Sequence, residues 1–145
     1  MSFLLLLQLS ATLLLTGIIW FVQLVHYPLF PRVGAAGFAA YERAHTRLIS
    51  PLVAPAMLVE ASTAVLFVWV RPSFVPPAPA WLGLALVAAI WLSTFLAQVP
   101  QHRVLAAGFD AAAHRRLAAG NWIRTICWSV RAVLLVLLVE RGLAG

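Results

Sequence analysis

Four stretches of this chain are each long enough and apolar enough to cross a lipid bilayer, and that feature excludes most other folds. They run from Phe3 to about Phe30, from about Leu48 to Val70, from about Ala80 to Val99, and from about Leu117 to Val139. A helix covers a hydrocarbon core of about 30 Å with about 20 residues. Backbone polar groups in lipid must be satisfied within the segment, so the spans are expected to be helices. A soluble bundle is the rival, and composition argues against it. The chain is 63% hydrophobic and 10% charged, whereas soluble domains carry roughly 25% charged residues. The expected fold class is therefore all-α: a polytopic membrane protein with four transmembrane helices and one transmembrane domain over residues 1–145. The first span has no Lys or Arg ahead of its apolar run. That run is also longer than a signal peptide's core of about 7–15 residues, so it reads as a retained helix.

The formal charge of +6 comes from arginine, with no lysine in the chain. A basic protein can be a nucleic-acid binder. Here the arginines cluster at span ends and connectors, so lipid headgroups and topology explain them, and no nucleic-acid partner is expected. Arg32, Arg43, Arg47, Arg103, Arg115 and Arg116 lie on one side of the expected membrane, against Arg71 and Arg141 on the other. This asymmetry places loops 31–47 and 100–117 in the cytoplasm and both termini outside, as for a protein of a bacterial inner membrane. The outer loop "RPSFVPPAPA" reads as Pro-rich and extended. Cys127 is the single cysteine and reads as a small hydrophobe.

Residues 32–38 read "RVGAAGF" and residues 103–109 read "RVLAAGF". The offset is 103 − 32 = 71. It also places Ile19-Trp20 on Ile90-Trp91. The chain thus reads as two related helical hairpins, residues 1–71 and 72–145, with equivalent residues at one depth around an axis along the membrane normal. Each Gly-Phe pair is expected to mark the turn into an interfacial helix. Glu60 plus 71 is Arg131. Both lie mid-span, where a lone charge costs about 2.5–3.5 kcal/mol. An ion pair between the second and fourth spans is therefore expected, serving either helix register or catalysis.

Polar residues inside the spans fall at helical spacing. Asn121, Arg124, Trp128 and Arg131 share one face of the fourth span, and Trp91, Thr94 and Gln98 share one face of the third. Trp20, Gln23 and either His26 or Tyr27 do the same in the first. Together they predict a polar, Trp-lined cleft that opens toward the cytoplasm. Used singly, such residues also act as interhelical glue. All four histidines fall at the same side. His26 ends the first span, in "WFVQLVHYPLF". His45 lies three residues after Glu42, His102 follows the third span, and His114 lies four residues after Asp110. Each close pair could ligate a metal or orient a histidine by a carboxylate. Interfacial histidines also cap helices or meet headgroups. Of the four, His26 has the strongest functional claim, as acid/base or ligand.

Three segments carry a family resemblance: "WFVQLVHYPLF" ending the first span, "FAAYERAH" opening the second and "NWIRTICWSVR" in the fourth. The chain resembles the anthrone-oxygenase-like family of small four-helix membrane proteins. The resemblance implies an oxygenase acting on polycyclic phenols. A looser likeness is to four-helix, haem-binding protoporphyrinogen oxidases, which also place a histidine in the first helix. The leading expectation is a membrane oxidoreductase or oxygenase that takes a lipophilic aromatic or quinone-like molecule into the cleft. His26, Glu60 and Arg131 are its catalytic candidates. Trp20, Gln23, Trp91, Thr94, Gln98, Asn121, Arg124 and Trp128 are its binding candidates.

Two rivals stand beside it. One is a haem- or metal-binding electron carrier, using His26 with His45, His102, His114 or Asp110; haem or a transition metal is compatible with the sequence, and neither is required by it. The other is a non-catalytic transport or assembly protein. Four short helices make a thin wall around a cleft, which leaves room for a homo-oligomer.

Overall fold

The computed structural model describes residues 3–144. Among them, four helical rods are long and apolar enough to span a membrane: α1 (Phe3–Arg32), α2 (Ala35–Val70), α3 (Pro77–Leu105) and α4 (Ala111–Ala144). No strand occurs among the described residues. The chain runs up, down, up and down. Helix α1 packs on α2 and α4, and α3 packs on the same two, so the helices form a closed ring.

Lipid is as apolar as leucine, so burial of apolar area cannot by itself hold such helices together; packing and polar contacts must do so. The burial pattern agrees. Leu13, Phe21, Leu52, Leu66, Leu96 and Ile126 are exposed on the outside, whereas Gln8, Thr12, Glu60, Asn121, Thr125 and Arg131 are buried.

The helices are longer than the sequence spans, and the connectors shorter. Residues 35–47 are the opening turns of α2 rather than a loop or a separate interfacial helix. The first connector is thus residues 33–34, and the one expected at 100–117 shrinks to 106–110. Gly34 makes the first turn at φ +85°, a backbone region that only glycine enters cheaply. The repeated letters therefore sit in different local structures. "AAGF" opens α2 in the first copy and forms the turn after α3 in the second. The Pro-rich loop between α2 and α3 is also shorter than expected. Pro77 and Pro79 belong to the first turn of α3, where a missing N–H costs nothing. Val75, 2% exposed, plugs the bundle end beside Leu5, Phe67 and Leu138, while Ser73 is exposed.

Two irregularities matter for the site. Val22–His26 in α1 and Thr94–Gln98 in α3 are single π-helical turns. Pro28 and Pro100 follow them, each two residues on. Proline removes an N–H and crowds the carbonyl four residues earlier, here Leu24 and Leu96. A widened turn relieves that crowding. The extra residue rotates everything beyond it by about 100° relative to an uninterrupted helix.

The ion pair forms. Arg131 Nε donates to Glu60 Oε1 at 3.0 Å, with both side chains buried. Arg131 Nη1 donates to the Gly83 carbonyl at 2.7 Å, and Nη2 to Gln8 Oε1 at 2.7 Å. Thr12 and Trp128 complete the carboxylate by donating to Oε1 and Oε2. One guanidinium and one carboxylate thus tie all four helices. Glycine at 83 permits this, since a Cβ there would lie 2.8 Å from Arg131 Nη1.

Candidate functional site

A cavity of about 210 Å³ lies between Trp128 and the layer formed by His45 and His102. Its walls are mostly apolar: Leu15, Ile18, Ile19, Val22, Val53 and Met57. Its polar groups are few and come from all four helices: Tyr27, His45, Ser50, Thr94, Gln98, His102 and Arg124.

Two of these groups lack partners. Arg124 lies over the Trp128 ring, with its guanidinium carbon 5.1 Å from the ring centroid. It is 9% exposed, and its Nε has no hydrogen-bond partner. Among the described residues Glu60 contacts Arg131 and Glu42 contacts His102, and no carboxylate neutralises Arg124. Gln98 is 1% exposed, and neither its oxygen nor its nitrogen is bonded. Unpartnered buried polar groups are costly, and a cation is the costliest of them.

Above the cavity, the titratable groups form two short chains. Glu42, buried on α2, meets His102 Nδ1 at 2.5 Å, and His102 Nε2 meets the Tyr27 hydroxyl at 3.2 Å. When Glu42 is ionised it only accepts, and Nδ1–H of a neutral His102 donates to it. Nε2 is then left to accept from Tyr27. This is the arrangement in which a carboxylate fixes a histidine's tautomer and orientation. The second chain runs from Tyr41 to His26 Nδ1 (3.5 Å), and from His26 Nε2 to His45 Nδ1 (2.9 Å). Phe30 stands edge-on to His26 and Tyr41, filling the space between helix ends.

The sequence candidates divide accordingly. Thr94, Gln98, Arg124 and Trp128 line the cavity, as do His45 and His102. Trp20 does not: its indole is 38% exposed, bonds Ser129 Oγ and stands edge-on to Trp122. Trp91 packs against the cluster that contains Ile90 and Met57, its ring tilted toward that of Phe95. Gln23 and Asn121 bond each other and lock α1 to α4, with Gln23 also donating to the Ala118 carbonyl. They act as glue. Glu60 and Arg131 lie beyond Trp128, outside the cavity lining. Their bonds to neighbouring side chains and backbone match a positioning role better than a catalytic one.

His26 faces an outer groove rather than the cavity. His114 and Asp110 do not share a ligand site. His114 Nε2 reaches the Tyr27 carbonyl at 2.8 Å, an acceptor that Pro31 cannot serve four residues on. Asp110 Oδ1 caps α4 by accepting from Ala113 N–H at 2.6 Å, the usual task of Asp at that position. Glu42 pairs with His102 on α3 rather than with His45, its neighbour in sequence. Among the described residues, no three His, Cys, Asp or Glu side chains gather closely enough to hold a metal ion.

Sequence spacing offers Glu42 only as a partner of His45 and Tyr27 only as an alternative to His26; Tyr41, four residues before His45, completes the set. A signal existed for Glu42. Phe38, Glu42 and His45 share one helical face, and a carboxylate there is one of only four acids in the chain. No known protein family, curated protein or solved structure matches this chain.

Proposed function

We propose that this membrane protein binds a lipophilic phenol or quinol in the cavity and moves the proton of its ring hydroxyl. The observation that carries the reading is Arg124: a buried, unneutralised guanidinium facing a mostly apolar space. Natural membrane proteins do not keep such a charge without use. A phenolate oxygen would neutralise it by charge-assisted hydrogen bonds. The ring would pack on Met57, Leu15 and the face of Trp128. His102, oriented by Glu42 and linked through Tyr27, would accept the proton. A phenolate or quinolate so formed is readily oxidised, which supports the oxidoreductase reading. A quinol that gives two electrons and two protons to dioxygen yields a quinone and hydrogen peroxide. The similarity between the two hairpins, with Glu60 and Arg131 in contact at a spacing of 71, supports their origin by duplication.

A chromophoric phenol tests the reading. The purified protein should bind para-nitrophenol and increase its phenolate absorption band, because the guanidinium favours the anion. Tyr27→Phe should slow the change without abolishing binding. A spectrum that stays that of free para-nitrophenol at saturating protein counts against the site.

We place the histidine end of the bundle in the cytoplasm, since six of the connector arginines lie there. Ser73→Cys in a Cys127→Ser background should react with an impermeant thiol reagent added outside intact cells. Labelling only after the cytoplasmic face is opened inverts the topology.

A further inference from the structure

A second hollow, of about 590 Å³, lies on the outer surface between α1 and α2. It is lined by Leu13, Leu14, Gly17, Phe21, His26 and Leu52, among others, and is apolar apart from its histidine end. Ile18, Val22, His45 and Ile49 line both this groove and the inner cavity. The wall between the two is therefore one side chain thick. His45 sits in that wall, held by its hydrogen bond to His26. Gly17 leaves the groove open: a Cβ there would meet nothing within 4 Å.

The size of the cavity limits what it can take. At about 210 Å³ it exceeds an apolar cavity of about 150 Å³ that holds benzene. It falls short of the roughly 300–1,000 Å³ of pockets for drug-sized ligands. One ring with small substituents fits; three fused rings do not.

We infer that the ligand is a single-ring phenol or quinol bearing a long apolar tail, with the ring in the cavity and the tail lying in the α1–α2 groove against lipid. The inference rests on the binding reading above and narrows it. His45 and its partner His26 then form the latch at the junction. The ring passes between bilayer and cavity when that hydrogen bond opens. The groove supplies fit and access rather than net apolar burial, because a tail in lipid is already out of water.

The test uses two probes, decylhydroquinone and methylhydroquinone, with purified protein in lipid nanodiscs. Wild type should bind both. Gly17→Phe fills the groove without reaching the ring site, and Leu52→Trp does so from the opposite wall. Each should weaken decylhydroquinone about tenfold, as expected for overfilling a fitted space, and leave methylhydroquinone unchanged. Arg124→Gln should weaken both probes alike. A photoreactive group at the tail end should crosslink to α1 and α2 near Leu13 and Leu52. The tailed-ligand inference is overturned if both groove variants affect the two probes equally or not at all, or if crosslinks fall on α3 and α4. If Arg124→Gln changes neither probe, the ring site itself is wrong, whatever the groove variants do.

Discussion

Arg131→Met will lower the stability of this protein by roughly 3–5 kcal/mol, the usual cost of leaving one partner of a buried ion pair behind. The change strands Glu60 as a buried carboxylate. It also strips a donor from the Gly83 carbonyl and another from Gln8 Oε1. Glu60→Gln will cost less. The amide is neutral and can still accept from Thr12, and Arg131 retains two of its three acceptors. The double variant will be more stable than the sum of the two single losses predicts, with a coupling of at least about 1 kcal/mol. Denaturation in mixed detergent micelles, followed by tryptophan fluorescence, measures all three. If the single variants unfold at the wild-type point and show no coupling, the four-helix tie contributes nothing.

The two charged residues of this tie were legible for a particular reason, whereas Gln8, Thr12 and Gly83 were not. Glu60 and Arg131 lie in helices without π turns between them and the bundle centre, so the 71-residue spacing carried through to contact. Phe38 and Phe109, also 71 apart, meet edge to face with centroids 5.0 Å apart. The face of α4 was equally readable, since α4 is uninterrupted from Ala111 to Ala144. That is why Asn121, Arg124, Trp128 and Arg131 all point inward. The first and third helices were misread where the π turns intervene. In α3, Trp91 precedes the turn and Gln98 ends it. Simple three- and four-residue spacing placed both on one face, but only Gln98 lines the cavity. In α1 the same extra residue separates Trp20 from His26. The histidine pairings failed on a different ground. Spacing along one helix finds only neighbours on that helix, and Glu42–His102, His26–His45 and His114–Tyr27 all join different helices. No periodicity within a segment reports which helix ends will meet.

Arg124 lies two helical turns before Arg131 on the same face of α4, and its replacement is expected to have the opposite effect. Arg124→Met will leave stability unchanged or raise it, because it removes a buried charge that has no carboxylate partner and a nitrogen with no bond. It gives up only the contact with the Trp128 ring, worth about 0.5–2 kcal/mol, and relieves a larger desolvation cost. Ligand affinity should fall by about 3 kcal/mol, roughly a hundredfold, since the phenolate oxygen loses its charged donor inside a low-dielectric cavity. Arg124→Lys should recover part of the affinity. Its ammonium keeps the charge but lacks the planar fork that holds an oxygen from two nitrogens. A residue kept for function at a cost in stability is expected to show this opposition; a residue kept for structure loses both together. Thermal denaturation and para-nitrophenol binding, measured on the same preparations, separate the two. If Arg124→Met unfolds as readily as Arg131→Met, Arg124 belongs to the helix ties and the cavity has no anion receptor.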